Sequence, residues 1–255
     1  MNAKIIVVYT QKGGVGKTGL SMVLGVELSA INSKNQVLLI DADPQASLSY
    51  ALLGRSPAPT DDSLYSQIVK YENINEPVKP AKVEQLKDNL FLLPGNSNTC
   101  DLSEMIGFAE KCANPQTSVF NVFTGRLYHA IQTTCLEYKI THVVIDTNPV
   151  KDVLNRRLIG LADFVVSPIR CDQLSRWAVN DWEILFQRCQ EEVTMASQSA
   201  NLTAYTIPTT SKAKFVGYVI QSEIDQQIDF YRAQATRMGG NVFFGEMDKL
   251  LDIFR

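Results

Sequence analysis

The stretch "YTQKGGVGKTGLS" (Tyr9–Ser21) carries the most specific pattern in the chain. A phosphate-binding loop follows the pattern G-x-x-x-x-G-K-[ST]. Its closing residues are present as Gly16, Lys17 and Thr18. Gln11 stands where the pattern has its first glycine, and a second lysine, Lys12, follows directly. The stretch therefore predicts a phosphate-binding loop that carries one lysine more than the ordinary pattern.

The flanking sequence has the strand–loop–helix order that a phosphate-binding loop requires. "KIIVVYT" (Lys4–Thr10) is a continuous β-branched and aromatic run, which is typical of a strand buried on both faces. After the loop, apolar residues recur at helical spacing: Leu20, Val23, Leu24, Leu28 and Ile31. We therefore expect the loop to join a buried strand to a helix.

The residue types in the loop suit phosphate chemistry. Glycines allow the backbone to approach phosphate oxygens, their amides form a nest for anions, and the helix N-terminus adds a positive dipole end. Lys17 is placed to reach the β- and γ-phosphates, and the Thr18 hydroxyl to ligate Mg²⁺. A glycine-rich turn that happens to precede a helix is the alternative, but spacing, lysine, threonine and context agree on phosphate. The predicted nucleotide-binding residues are Gly13, Gly14, Val15, Gly16, Lys17, Thr18 and Gly19.

Further buried strands alternate with helical segments along the chain. The strands are predicted at Gln36–Asp43, Asn89–Ser97, Thr141–Pro149, Ala162–Ile169 and Lys214–Ser222, with a strand-like segment at 201–210. One amphipathic helix is predicted over Leu174–Glu192. This alternation predicts an α/β fold with a doubly wound, mostly parallel sheet and helices on both faces. We expect residues 1–255 to form a single domain, with a variable insertion around residues 55–89 that contains one helix.

Composition limits the classes of function. The net charge of −3 argues against a dedicated nucleic-acid binder, so any DNA contact has to come from a local basic patch. The five cysteines form no C-x-x-C pair and there are two histidines, which disfavours zinc and iron–sulfur sites and suits reduced thiols. No apolar run approaches the roughly 20 residues of a membrane span, and the first residues are too short an apolar run for a signal sequence. These features predict a soluble cytoplasmic protein.

Two predicted strands end in carboxylates. Asp41 and Asp43 end the second strand, and Asp146 ends the strand at Thr141–Pro149. Open α/β sheets bind ligands at the carboxyl ends of their strands, so acids at those ends are well placed for metal chemistry beside the phosphate loop. For Asp41 or Asp43 taken alone, a helix cap or a turn is the alternative.

The motifs together resemble those of one family. "QKGGVGKT" resembles the deviant Walker A motif, K-G-G-x-G-K-[ST], of the ParA/MinD group of P-loop ATPases. "LLIDADPQASLS" looks like the D-x-D-P-Q-x-[NS] segment of that family, and "HVVIDTNPV" like its Walker B segment. The chain departs from the family at Gly19, where Thr or Ser is usual, and at Asn148, which replaces the first proline after Walker B.

The resemblance implies roles for individual residues. The catalytic residues that it implies are Lys12, Lys17 and Asp43, and the residues at magnesium are Thr18, Asp41 and Asp146. In the family, the lysine that matches Lys12 reaches across a dimer interface to the nucleotide of the other subunit, whereas a solvated surface lysine is the alternative. The acid that matches Asp43 orients or deprotonates the attacking water.

The resemblance also implies a function. Gln11 suits ParA-like partition proteins better than MinD-like ones, and the tail "GEMDKLLDIFR" is too acidic to attract an anionic membrane. No helix-turn-helix extension precedes the loop, so we expect a small ParA-type ATPase without its own operator-binding domain. Such a protein uses ATP and Mg²⁺, forms a homodimer with ATP, binds DNA non-specifically and is nucleoid-associated in that state. A ParB-like or cargo-adaptor partner stimulates its weak hydrolysis. A MinD-like membrane-surface ATPase and a dethiobiotin-synthetase-like metabolic enzyme stay open as alternatives.

Basic residues supply the candidates for DNA contact. They are Arg156, Arg157, Arg170, Arg176, Lys212, Lys214, Arg232 and Arg237. For each of them a solvated surface charge is the alternative. As a set, Lys212, Lys214, Arg232 and Arg237 are predicted to include the DNA patch, because the family places it late in the chain. Separately from DNA, the resemblance makes Gln221, which follows "GYVI", a candidate for the polar residue that contacts the base of the bound nucleotide.

Overall fold

Strands and helices alternate through the computed structural model. It describes residues 3–57, 63–69, 77–112, 119–170, 172–198, 207–220 and 228–254. The strands are β1 (Lys4–Val8), β2 (Val37–Asp41), β3 (Glu84–Lys87), β4 (Leu90–Leu93), β5 (His142–Asp146), β6 (Phe164–Ile169), β7 (Lys214–Ile220) and β8 (Asn241–Phe244). The helices are α1 (Lys17–Ile31), α2 (Ser47–Leu53), α3 (Leu64–Val69), α4 (Thr99–Cys112), α5 (Val119–Glu137), α6 (Val153–Leu161), α7 (Gln173–Asn180), α8 (Trp182–Gln198), α9 (Ile228–Arg237) and α10 (Met247–Phe254).

The strands form one sheet in the order β3-β4-β2-β5-β1-β6-β7-β8. All neighbouring strands are parallel except β3 and β4, which pair antiparallel. The chain leaves β1 toward β2 on one side and later adds β6 on the other side, so the loop after β1 lies where the strand order reverses. Ligands of open α/β sheets bind at such a point. The predicted α/β, doubly wound and mostly parallel fold is confirmed.

The core lies on both faces of the sheet. Ile5 and Val7 of β1 belong to one buried cluster, whereas Ile6 and Val8 belong to the cluster on the opposite face. Since successive side chains of a strand point to opposite faces, a strand that is covered on both sides needs a continuous apolar run. This double burial explains why the strands could be predicted from the sequence without an alternating pattern.

One predicted helix is two helices in the structure. The amphipathic pattern over Leu174–Glu192 predicts one helix, but α7 ends at Asn180 and α8 begins at Trp182. Asp181 separates them, and its carbonyl accepts the backbone N–H of Leu185 at 2.9 Å, as a helix-starting residue does. The prediction of one helix is wrong because its apolar pattern continues across the break.

Parts of some predictions lie outside the described residues. These are 201–206 of the strand-like segment, Gln221, and 58–62 and 70–76 of the variable insertion. The described part of that insertion contains α3, which agrees with the predicted helix, and β3, which the sequence did not predict. Among the described residues, no helix has the length and apolar character needed to cross a membrane.

Candidate active site

The loop between β1 and α1 is bent at two glycines. Gly14 has φ 70° and Gly16 has φ 86°, a left-handed conformation that L side chains rarely adopt. Gly16 precedes the first residue of α1, and its carbonyl accepts the backbone N–H of Leu20 at 2.9 Å. The first N–H groups of a helix have no partner within the helix. The bend therefore leaves backbone donors of α1 available to an anion.

An open cavity of about 500 Å³ lies at this loop. It is lined by Gly13, Gly14, Gly16, Lys17, Thr18, Asp43, Gln45, Ser47, Pro149 and Arg170. These residues follow the carboxyl ends of four strands: β1, β2, β5 and β6. Of the other residues predicted to bind nucleotide, Val15 is buried and Gly19 lies on α1 beside the cavity lining. The volume is within the range of small-molecule sites.

Lys17 is a nearly buried cation in the cavity wall. Its side chain is 8% exposed, and Nζ donates to the carbonyl oxygen of Lys12 at 3.2 Å. Burial lowers the pKa of Lys17, while the carboxylates of Asp146 and Asp43 act in the opposite direction. A buried ammonium group that has one neutral acceptor is well suited to a further, anionic acceptor in the cavity.

Asp146 is held by two hydroxyl groups of α1. The Thr18 hydroxyl donates to Oδ2 at 2.8 Å, and the Ser21 hydroxyl is 2.9 Å from Oδ1. The carboxylate is fully buried, and burial raises the pKa of Asp146 to about 7, with the neighbouring Asp41 and Asp43 charges adding to the rise and the hydroxyl bonds opposing it. Thr18 thus stands between a buried carboxylate and the open cavity.

The donor set at Asp146 fits a magnesium ion. Mg²⁺ prefers oxygen ligands and uses one or two carboxylates together with phosphate oxygens and water. Thr18 provides a hydroxyl, and Asp146 provides a buried carboxylate that is negatively charged when it is ionised. In the described part of the chain, no three His, Cys, Asp or Glu side chains come together as a metal cage. A metal here therefore needs phosphate or water oxygens as additional ligands.

The buried carboxylate predicts a pH-dependent stability of the ligand-free protein. The raised pKa of about 7 means that the folded protein keeps a proton that the unfolded chain releases. The contribution of Asp146 to the stability of the ligand-free protein should therefore fall as pH rises toward that value. We therefore expect the melting temperature of Asp146→Asn, measured relative to that of the parent without magnesium, to be higher at pH 8 than at pH 5. Thermal melts at the two pH values measure this gain.

The control for this prediction is Asp181→Asn, which alters a carboxylate that is 66% exposed. Its difference from the parent should be nearly independent of pH over the same range. A melting-temperature difference for Asp146→Asn that stays constant between pH 5 and 8 would contradict the raised pKa.

The two acids after β2 lie in different surroundings. Asp41 is fully buried, and its Oδ2 accepts the backbone N–H of Ser49 at 2.8 Å and the Ser49 hydroxyl at 2.7 Å. Burial raises the pKa of Asp41 to about 6. Asp43 lines the cavity, and its Oδ1 accepts the backbone N–H of Gln45 at 2.9 Å. Asp43 therefore faces the ligand space, whereas Asp41 fixes the start of α2, and its role at magnesium stays a prediction.

Lys12 is not part of the cavity lining and pairs within its own chain. Its Nζ forms an ion pair with Asp172 Oδ2 and lies 3.4 Å from the Ser175 hydroxyl. The other carboxylate oxygen of Asp172 accepts the backbone N–H of Ser175 at 2.7 Å and so caps α7. The Lys12 and Asp172 side chains are 21% and 40% exposed, so the pair lies at the surface next to the cavity. The predicted contact of Lys12 with a second subunit stays a prediction.

The predicted DNA residues do not form a single cluster. Lys214 and Arg237 line one groove of about 390 Å³, Lys212 lines a smaller pocket that includes Asp163, and Arg232 pairs with Asp229 at 3.4 Å. Lys214 begins β7, so this groove lies at the edge of the sheet opposite the phosphate loop. Lys214 and Arg237 are thus the candidates that share a surface.

Other basic candidates are occupied elsewhere. Arg156 and Arg157 lie on α6 and bind Glu192 of α8, with N–O distances of 3.0 and 2.7 Å. Arg176 lies over the ring of Phe230, 4.6 Å from its centre. Arg170 lines the cavity at the loop between β1 and α1.

Sequence reasoning missed several residues that support the site. Ser21 lies three positions after Thr18, so helical spacing alone could have placed both hydroxyls on one face. Asp172 and Ser175 have the spacing of a helix N-cap pair, which predicts a cap but not a bond to Lys12. Ser49 bonds both to Asp41 and to the backbone N–H of Gly95 at 3.0 Å. For Ser49 the sequence offers no signal.

Comparisons with known proteins agree on one family. A family model described as an AAA domain matches residues 3–200. The chromosome partitioning protein ParA of Caulobacter vibrioides is 31% identical over 170 residues, which cover 66% of this chain and 57% of that protein. The sporulation initiation inhibitor protein Soj of Bacillus subtilis is 30% identical, with 66% and 59% covered. The chain thus spans less than two thirds of the length of these relatives.

Solved structures with low sequence identity share the fold. A variant of McdA from Cyanothece in complex with ATP has a TM-score of 0.63 at 19% identity, with 95% of this chain and 82% of that chain covered. Cobyrinic acid a,c-diamide synthase from Mycobacterium smegmatis, with an ATP analogue and magnesium bound, has a TM-score of 0.64 at 21% identity, with 92% and 82% covered. McdA and the synthase thus share this chain's fold.

Proposed function

The chain belongs to the AAA domain family of the ParA/MinD type, and from that membership we propose that it is an ATPase that dimerises with ATP, binds DNA non-specifically and positions DNA or another cargo. The observation that carries the proposal is the different position of the two loop lysines. Lys17 lines the cavity, whereas Lys12 lies outside it in a partly exposed ion pair. The first lysine can serve a nucleotide in its own chain, and the second is at a surface that another subunit can approach.

The side chains of the cavity suggest how ATP is held and cleaved. Lys17 and the amides at the start of α1 would bind the β- and γ-phosphates, and Thr18 and Asp146 would hold the magnesium ion. Bound Mg²⁺ neutralises phosphate charge during phosphoryl transfer. Asp43 lies on the open side of the cavity, where it can orient the attacking water. Asp41 keeps the chain between β2 and α2 in place through its two bonds to Ser49.

Dimerisation would make hydrolysis a switch. A lysine supplied by a second subunit neutralises charge on the transferred phosphoryl group in the way that an arginine finger does. Lys12 has to leave Asp172 to make that contact, and the phosphates of the other subunit's nucleotide then take the place of the Asp172 carboxylate. The dimer therefore depends on the bound nucleotide. Loss of the terminal phosphate removes the new anionic partner of Lys12 and releases the subunits. A ParB-like or adaptor protein that stimulates hydrolysis would set the lifetime of the dimer.

Gly19 provides a test of the phosphate contacts. A Cβ atom added at Gly19 meets no heavy atom within 4 Å, so a larger side chain fits. In the family a Thr or Ser hydroxyl at this position contacts the α-phosphate. We expect Gly19→Ser to tighten ATP binding about fivefold, since one net hydrogen bond is worth about 1 kcal/mol. Titration calorimetry with Mg-ATP measures the dissociation constant.

Gly19→Ala is the matched control, because it adds the same Cβ without a hydroxyl. Alanine should raise the melting temperature through helix propensity and leave the affinity for ATP unchanged. Equal affinities for the serine and alanine variants would contradict a hydroxyl contact at this position.

Non-specific DNA binding needs lysines and arginines that face phosphates. Lys214 and Arg237 share a groove, and within the described residues neither forms an ion pair. We propose this groove as part of the DNA surface. The experiment is co-sedimentation of the protein with random-sequence duplex in the presence of ATP, ADP or no nucleotide. We expect retention with ATP alone, and loss of retention in the double variant Lys214→Glu, Arg237→Glu.

The control for charge is the double variant Lys34→Glu, Lys87→Glu, which makes the same change in net charge at two exposed positions elsewhere. It should retain ATP-dependent binding. Retention that is equal with ATP, ADP and no nucleotide would contradict the proposed function. A phosphorylated small molecule as product would indicate the metabolic alternative, and ATP-dependent sedimentation with anionic vesicles would indicate the membrane-surface alternative.

A further inference from the structure

Arg170 is the second cationic residue that lines the cavity at the phosphate loop. The cationic residues of the lining are Lys17 and Arg170, and the anionic one is Asp43. Arg170 follows the last residue of β6, and β6 lies next to β1 in the sheet, with Val166 in register with Val8. The arginine therefore stands beside the phosphate loop at the carboxyl edge of the sheet.

The backbone at Arg170 is fixed while its side chain is exposed. The carbonyl oxygen of Arg170 accepts the backbone N–H of Asp172 at 2.9 Å and the Tyr231 hydroxyl at 3.3 Å. Among the described residues, no carboxylate lies within ion-pair distance of its guanidinium group, in contrast to Arg156 and Arg157, which bind Glu192. The position of Arg170 is thus determined by the fold, and its charge is left for a ligand.

The terminal phosphate of a nucleotide brings negative charge that a cation of the protein can neutralise together with Lys17 and magnesium. The ion pair with Asp172 neutralises Lys12 as long as the subunit is alone. Lys17 then supplies one positive charge at the loop, and Asp43 offsets it. A guanidinium group can bind two oxygens of one phosphate in parallel, which a lysine cannot do. Arg170 provides such a group in the same chain and before any dimer forms.

We propose that Arg170 is a specificity-determining residue that binds the terminal phosphate of ATP and thereby favours ATP over ADP. This inference rests on the proposed function, since it requires a nucleoside triphosphate in the cavity. The terminal phosphate is the expected partner because Arg170 shares the cavity with Asp43 and with Gly13 and Gly14, the early residues of the phosphate loop. A contact of this kind discriminates by the number of phosphates and not by the base.

The test compares binding of two nucleotides by calorimetry. The ligands are Mg-ADP and the magnesium complex of the non-hydrolysable analogue adenosine 5′-(β,γ-imido)triphosphate. We expect Arg170→Ala to weaken binding of the analogue about 10- to 100-fold, the range for hydrogen bonds to charged groups, and to change ADP binding less than about twofold. Arg170→Lys should recover part of the loss, because lysine keeps the positive charge but cannot bind two phosphate oxygens in parallel.

Arg176→Ala is the matched control, because Arg176 is an exposed arginine on α7 that contacts Phe230 and does not line the cavity. It should bind both ligands as the parent does. An equal loss for analogue and ADP in Arg170→Ala, or no loss, would overturn the inference while leaving the ATPase proposal intact. A parent protein that binds neither ligand would overturn both. Thermal melts establish that each variant is folded.

Discussion

Replacing Lys17 by alanine is expected to weaken ATP binding severely, and with it to remove ATP-dependent dimerisation and DNA retention. Lys17 is the cation with the least solvent exposure at the cavity, at 8%, and the fold holds its ammonium group 3.2 Å from the Lys12 carbonyl oxygen. Truncating one partner of such a desolvated charge contact costs about 3 kcal/mol, or roughly 100-fold in affinity. Calorimetric titration with Mg-ATP measures the loss directly.

A loss of binding has to be separated from a loss of fold. Burial lowers the pKa of Lys17, so the fold does not stabilise its charged form, and Lys17→Ala should melt at the same temperature as the ligand-free parent or above it. Lys34→Ala serves as the control, because Lys34 is an exposed lysine just after the other end of α1. Normal ATP affinity in a folded Lys17→Ala variant would contradict the assignment of the cavity to phosphate.

Replacing Lys12 by alanine is expected to separate nucleotide binding from dimerisation. Lys12 Nζ lies at Asp172, and Lys12 is absent from the cavity lining, so ATP binding by one subunit should remain within about twofold of the parent. The dimer should be lost, because the cation that reaches the neighbouring nucleotide is absent. Analytical ultracentrifugation with a non-hydrolysable ATP analogue and magnesium measures both mass and nucleotide dependence.

Asp172→Asn is the matched control for Lys12→Ala. Both variants break the same ion pair, but the asparagine variant keeps the lysine and frees it from its partner in the same chain. It should dimerise at least as well as the parent with the ATP analogue. Dimers of normal affinity from Lys12→Ala would contradict the role across the interface, and equal loss in both variants would show that the ion pair itself is what matters.

The sequence predicts the cavity well because its features are local. Glycines at positive φ, the lysine and threonine that start α1, and an acid at the end of β5 all lie within short, recognisable segments. Burial of the sheet on both faces gives continuous apolar runs, which place the strands and hence their carboxyl ends. The aspartate of β5 could therefore be placed beside the loop from its position at the end of an apolar run.

The partners of these residues could not be predicted, because they depend on contacts between distant segments. Lys12 and Asp172 are far apart in the chain and meet only because β1 and β6 are neighbours in the sheet. Asp41 is bonded to Ser49 through the turn into α2, in which Ala46 has φ 50°. The sequence marked Asp41 as an acid near magnesium, and only the fold reveals its bonds to α2.

Edge elements were the weakest part of the prediction. β3 (Glu84–Lys87) pairs on one side only and is largely exposed, so its polar sequence resembles a loop. The break at Asp181 was hidden by apolar residues that continue into α8, among them Trp182, which stacks on Tyr9 with ring centres 5.2 Å apart. In both places tertiary packing, and not local propensity, decides the structure.

A crystal structure with a non-hydrolysable ATP analogue and magnesium is the most direct test of the two lysine roles. We predict a dimer in which Lys17 contacts the phosphates of its own nucleotide, while Lys12 has left Asp172 and lies within hydrogen-bond distance of the phosphates bound by the other subunit. A nucleotide-bound chain in which Lys12 remains paired with its own Asp172, or points into solvent away from any second subunit, would contradict the account.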